Sequence, residues 1–168
     1  MNKTISLIIV CSLLLLGCSP STEAKLKENS SPIIAQENGQ LLPIEATVKM
    51  GEQVIELEVA KTPEQQQIGL MYRKSIEKNR GMIFLFDELR PVRFWMKNVT
   101  IPLDMIFLAN GKVKAIISEV PPCNSDPCPT YGPDSLVNQV IELGGGEAKK
   151  LGIKEEDKLD IKFLENSP

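Results

Sequence analysis

The chain contains no histidine, which rules out a Ser-His-Asp triad, a Cys-His pair and an imidazole base. Acid–base work would fall to carboxylates, and Asp104, Asp126 and Asp134 stand out. Asp104 is the sharpest, because it sits inside the apolar run 103-LDMIFL-108, where a charge is rarely fully buried without a partner. Alternation along a strand places Leu103, Met105 and Phe107 on one face and Asp104, Ile106 and Leu108 on the other. Arg73, Arg93 and Lys97 are the cations available to pair with Asp104. A carboxylate accepting loop N–H groups, contact with a ligand, and catalysis are the other readings of this residue.

The stretch 93-RFWMK-97 holds the sole tryptophan. Alternation groups Arg93, Trp95 and Lys97 on one face and Phe94 and Met96 on the other. A tryptophan between two basic side chains could stack a sugar ring or hold an anionic ligand, with Lys97 and Asn98 orienting it at the strand end. It could equally be covered by an arginine stem with a cation–π contribution. Met71, Met82, Met96 and Met105 raise the question of thioether binding to Cu(I). None of them forms a close M-x-x-M cluster, and methionine is ordinary core filler. Gly144, Gly145 and Gly146 lack the G-x-x-x-x-G-K-[ST] phosphate loop and read as a tight strand-to-helix turn. Neither a metal nor a cofactor is expected.

These residues must be held by a domain and the domain by its context. Lys3 followed by the apolar stretch 5-ISLIIVCSLLLL-16 reads as a secretory signal over residues 1–17, too short to span a bilayer comfortably. The following 15-LLGC-18 resembles the lipobox of bacterial lipoproteins. That resemblance implies cleavage before Cys18 and acylation of its thiol, with the domain outside the cytoplasm and the membrane as its partner. An ordinary signal with a chance cysteine is the alternative. Without Lys3 the balance is 18 basic against 22 acidic residues, net −4. With no basic run to neutralise phosphates, nucleic acid is not an expected partner. Export also means an oxidising compartment, where Cys123 and Cys128 in 121-PPCNSDPCPTYG-132 read as a local disulfide. A metal site would lack four ligands, and the spacing is not the C-x-x-C of a redox pair.

Residues 18–42 are polar and read as a flexible tether, leaving 43–165 as one globular unit. Alternation predicts strands at 44–50 and 53–60. Thr62, Pro63 and Gln65 open a helix that the pattern carries to Arg73, with Gly69 marking either an early end or the close approach of another backbone. Further strands are predicted at 82–86, 91–97, 103–109, 112–120, 136–143 and 158–164, with a hairpin at Asn110-Gly111 and a short helix at 147–153. About eight strands and two short helices make a mainly β domain, a compact barrel or sandwich.

Four ordered segments, 69-GLMYR-73, 81-GMIFLF-86, 94-FWMKNVTIPLDMIF-107 and 141-IELGGGEAKKLGIKEEDKL-159, resemble the DUF192 family, also called UPF0127. The resemblance covers roughly 47–164. It implies a small, mostly β domain, often exported or lipid-anchored, and carries over no activity, cofactor or catalytic residue. The functional expectation is a non-catalytic envelope protein that binds a small polar or envelope-derived ligand through Arg73, Arg93, Trp95, Lys97, Asn98 and Asp104. A glycan hydrolase with a carboxylate pair, and a scaffold or assembly factor, are the alternatives.

Overall fold

The computed structural model describes residues 39–165. The signal segment, Cys18 and the tether up to residue 38 lie outside the described residues. Nine strands and two short helices follow one another: β1 (Ile44–Met50), β2 (Gln53–Ala60), α1 (Pro63–Ile68), β3 (Arg80–Arg90), β4 (Phe94–Trp95), β5 (Leu103–Ala109), β6 (Lys112–Val120), β7 (Thr130–Tyr131), β8 (Val137–Gly144), α2 (Glu147–Lys150) and β9 (Ile161–Phe163). The domain is mainly β, as the alternation predicts. Among the described residues no helix is long and apolar enough to cross a membrane.

Seven strands form one sheet in the order β6-β5-β8-β3-β2-β1-β9, while β4 pairs with β7 apart from it. The parallel pair β2–β3 needs a crossover, which α1 and its following loop supply. Strand pairing does not close the sheet into a barrel. The C-terminal segment instead touches both edges: Leu159 donates its N–H to the Gly111 carbonyl at 2.8 Å beside β6, and β9 pairs with β1.

Both faces of the sheet are apolar, which explains runs such as 82-MIFLF-86. One face packs Val48, Leu57, Ile83, Ile106, Ile141 and Leu151 together. The other, carrying Met82, Phe84, Met105, Phe107 and Val140, lies beneath an irregular layer that includes Leu70, Met71, Val92, Met96 and Val99.

Several elements differ from the periodic reading. The capping box forms as expected, with Thr62 Oγ1 accepting from the Gln65 N–H and Gln65 Oε1 accepting from the Thr62 N–H. The helix nonetheless stops at Ile68 rather than Arg73, because Gly69 turns to φ +49°, ψ −127°. A Cβ there would meet the Phe84 ring at 3.2 Å, so the close approach is of a side chain. The strand predicted over 91–97 shrinks to β4, flanked by Pro91 and by Asn98 at φ +57°. Its partner β7 lies in the cysteine loop, where composition gives no strand signal. The Asn110-Gly111 hairpin is present, with both residues at positive φ. The packed domain also reaches further back than residue 43. The buried Gln40 amide donates to the carbonyls of Gln65 and Gly69, anchoring Gly39–Leu42 on the α1 region.

Candidate functional site

Asp104 is fully buried on β5 and, among the described residues, makes no ion pair. Its carboxylate accepts three backbone N–H groups: Glu119 at 2.7 Å, Gly146 at 2.9 Å and Ala148 at 2.8 Å. The first comes from a bulge, where β6 carries an extra residue opposite Asp104 and Glu119 takes φ +52°. The other two open α2, whose N-cap Gly146 has no side chain to cap it. Asp104 does that capping from a neighbouring strand. Of the readings open for Asp104, acceptance of backbone N–H groups is the one the structure shows, and pairing with Arg73, Arg93 or Lys97 is not.

Arg73 is also removed from the proposed surface. Its guanidinium forks onto Glu58, Nη1 to Oε1 at 2.6 Å and Nη2 to Oε2 at 2.5 Å, and donates further to the Gln40 carbonyl. Both side chains are about nine-tenths buried, 8% and 10% exposed. The Leu42 N–H also donates to Glu58, so the pair pins the N-terminal segment onto the domain.

Arg93, Trp95 and Lys97 do share an exposed face, while Met96 is buried, as the alternation requires. Lys97 Nζ sits 5.2 Å from the Trp95 ring centroid, a cation–π contact, and Arg93 reaches the exposed Asp134 at 3.3 Å. Asn98 donates to the Tyr72 hydroxyl at 2.7 Å. Of the six candidates Arg93 and Trp95 line one groove, of about 400 Å³, between the Pro63–Met71 region and the Arg90–Trp95 segment, while Arg73 lines a second, of about 410 Å³, together with Glu58. The walls of the first include the rings of Phe84, Phe86 and Phe94 beside Trp95. Phe84 and Phe94 meet edge to face at 4.8 Å. Cys123 and Cys128 form a disulfide, and the loop it closes leads into β7, whose Thr130 pairs with Trp95.

This aromatic groove holds one residue that the sequence reading passed over. Glu142 on β8 is only 4% exposed and lines the groove. Among the described residues its carboxyl has neither a hydrogen bond nor an ion pair, and burial pushes it up to about 8. Its ladder neighbours are Met82 and Met105, and with Met71 and Met96 these belong to one buried layer. The signal was available: Glu142 interrupts 140-VIEL-143 just as Asp104 interrupts its own run.

The DUF192 family model, described as "Uncharacterized ACR", matches residues 45–161. A solved structure of a protein of unknown function from Novosphingobium aromaticivorans DSM 12444 is 34% identical, with a TM-score of 0.62, over 69% of this chain and 83% of that one. Another, provisionally described as a transcription regulator from Sinorhizobium meliloti 1021, is 34% identical with a TM-score of 0.63, over 73% of this chain and 97% of that one. No curated protein matches. The matched segment contains β2 to β8, the groove and both buried glutamates, and on that match the chain belongs to the DUF192 family.

Proposed function

We propose that this protein is a lipid-anchored binding module of the bacterial cell envelope, which holds a small ligand without catalysis in the groove beside Trp95. The observation that carries the reading is the groove itself, about 400 Å³ and walled by four aromatic rings with one buried carboxyl. Small-molecule sites are typically ~300–1,000 Å³, mostly apolar and furnished with few polar groups. The anchor rests on the apolar stretch 5–16 and on Cys18, and the Cys123–Cys128 bond is consistent with an oxidising compartment.

The hydrolase reading is weaker. Glycosidases need two carboxyl groups ~5–10 Å apart. Among the described residues lining the groove Glu142 is the sole carboxyl, and Asp104 is occupied by backbone donors. The regulator description of the Sinorhizobium relative is not extended to this chain, whose 22 acidic residues exceed its 19 basic ones.

Because Trp95 is the sole tryptophan, its emission reports on the groove directly. A small-molecule screen read by Trp95 emission and by thermal shift tests the proposal. Compounds that change the emission should lose their stabilising effect in Trp95→Ala and keep it in Lys97→Ala, since Lys97 lies outside the groove. Stabilisation that survives Trp95→Ala for every hit would overturn it. Detergent-phase partition of the wild type but not of Cys18→Ala tests the anchor.

A further inference from the structure

We infer that the groove takes a small organic cation, a primary or quaternary ammonium on an aromatic or apolar body, with its nitrogen against the Glu142 carboxyl and its body among the rings of Phe84, Phe94 and Trp95. This rests on the groove being a binding site and names the chemistry it selects.

The fold buries a glutamate twice in one row. Glu58, Met82, Glu142 and Met105 lie opposite one another across β2, β3, β8 and β5, on a single face of the sheet. Glu58 is met by Arg73 from the covering layer. Glu142 has no counterpart among the described residues, and it is the one of the two that lines the groove. The carboxyl is reached by solvent only at its tip, since no fully sealed side-chain oxygen among the described residues lacks a partner, and an arriving cation would offset the cost of ionising a group so nearly buried.

The residues next to the carboxyl supply it with no counter-charge. The ladder neighbours Met82 and Met105 and the groove-lining Met71 carry no charge. The other charged residues lining the groove are Arg90 and Arg93. Arg90 lies 5.0 Å over the groove's own Phe86 ring, and Arg93 meets the exposed Asp134 rather than Glu142. Aromatic faces attract organic cations, most strongly when desolvated. The empty site holds its carboxyl neutral, since burial raises it to about 8. When R–NH3+ docks, the Glu142 O–H bond breaks, the carboxylate pairs with the ammonium and one H+ leaves for solvent. Near neutral pH roughly nine-tenths of the empty sites would be protonated, so binding releases close to one proton.

The test is calorimetry and Trp95 emission on the full mature chain, wild type and Glu142→Gln, with benzylammonium, benzyltrimethylammonium, benzyl alcohol and benzoate. Both cations should bind roughly tenfold or more tightly than benzyl alcohol, and comparison of two buffers should show proton release. Glu142→Gln should bring the cations down to the level of benzyl alcohol while leaving benzyl alcohol itself unchanged. If benzyl alcohol alters Trp95 emission and binds as tightly as the cations, the charge inference falls and the groove reading stands. A preference for benzoate with proton uptake overturns the inference likewise. If none of the four binds, both fall. Binding of Ag+ that Met82→Leu and Met105→Leu abolish, with no response to either ammonium, would replace the organic cation by a soft metal.

Discussion

Glu58 and Glu142 stand in one row of the sheet, on the same face, with Met82 between them. Arg73 neutralises the first beside a groove that both of them line, and the second faces the aromatic groove with no such partner among the described residues. The two share a fold position type and a chemistry, and they differ in whether the chain supplies the counter-charge. That difference separates a structural ion pair from a site.

Glu142 makes stability depend on pH in a defined direction. Its folded value, about 8, lies above the 4.5 expected of an exposed glutamate, so the folded protein holds a proton that the unfolded chain has lost. The contribution is full below pH 4.5 and declines as pH rises to about 8. Across that window the wild type should lose stability on the order of 4 kcal/mol more than Glu142→Gln, which cannot titrate. Urea unfolding at a series of pH values checks this.

Removing one partner of the Glu58–Arg73 pair strands a buried charge. Glu58→Gln should cost about 3–5 kcal/mol in denaturant unfolding. The double change Glu58→Leu with Arg73→Met should cost less than either single change, because no charge is left uncompensated. The hydrogen bonds to Gln40 and Leu42 add to the loss, so the protease sensitivity of the segment before Ile44 should rise as well.

Asp104→Asn keeps the size of the side chain and removes its capacity to accept three N–H groups. One amide oxygen remains, and the new NH2 faces backbone donors. The expected cost is on the order of 3 kcal/mol in chemical denaturation. Trp95 emission in the folded state should stay unchanged, since Asp104 does not line the groove.

The disulfide closes a short loop, so Cys123→Ser with Cys128→Ser should lower stability by only about 2 kcal/mol. Its second effect is local. The loop leads into β7, and Thr130 pairs with Trp95, so the emission of Trp95 should shift although the fold persists. Near-ultraviolet emission and a thermal melt, with and without reductant, separate the two effects.

The sheet was largely legible, because period-2 alternation directly records which side chains meet the core. The strands 44–50, 53–60 and 103–109 and the Asn-Gly hairpin follow from it. Alternation also sorted Arg93, Trp95 and Lys97 from Met96. The covering layer was less legible. It is built from Gly69, positive-φ residues and a two-residue strand, and its order comes from packing on the sheet rather than from a repeating pattern. For Asp104 the type of partner, backbone N–H groups, was among the readings, but which donors and which cation meet a buried charge depends on register across the sheet. Asp104 meets α2, 42 and 44 residues away, and Arg73 meets Glu58. Glu142 interrupts an apolar run as Asp104 does, but the run alone does not show which of the two meets donors and which meets a groove.

The most direct measurement is a ¹H–¹⁵N correlation spectrum of the mature domain titrated with a library of small ammonium compounds and their neutral isosteres. The account predicts shifts of the Trp95 indole N–H together with the backbone amides of Gly69, Phe94 and Glu142, larger for the cations and absent for the cations' excess effect in Glu142→Gln. Shifts that leave these resonances untouched, or that gather instead around Arg73 and Glu58, would contradict it.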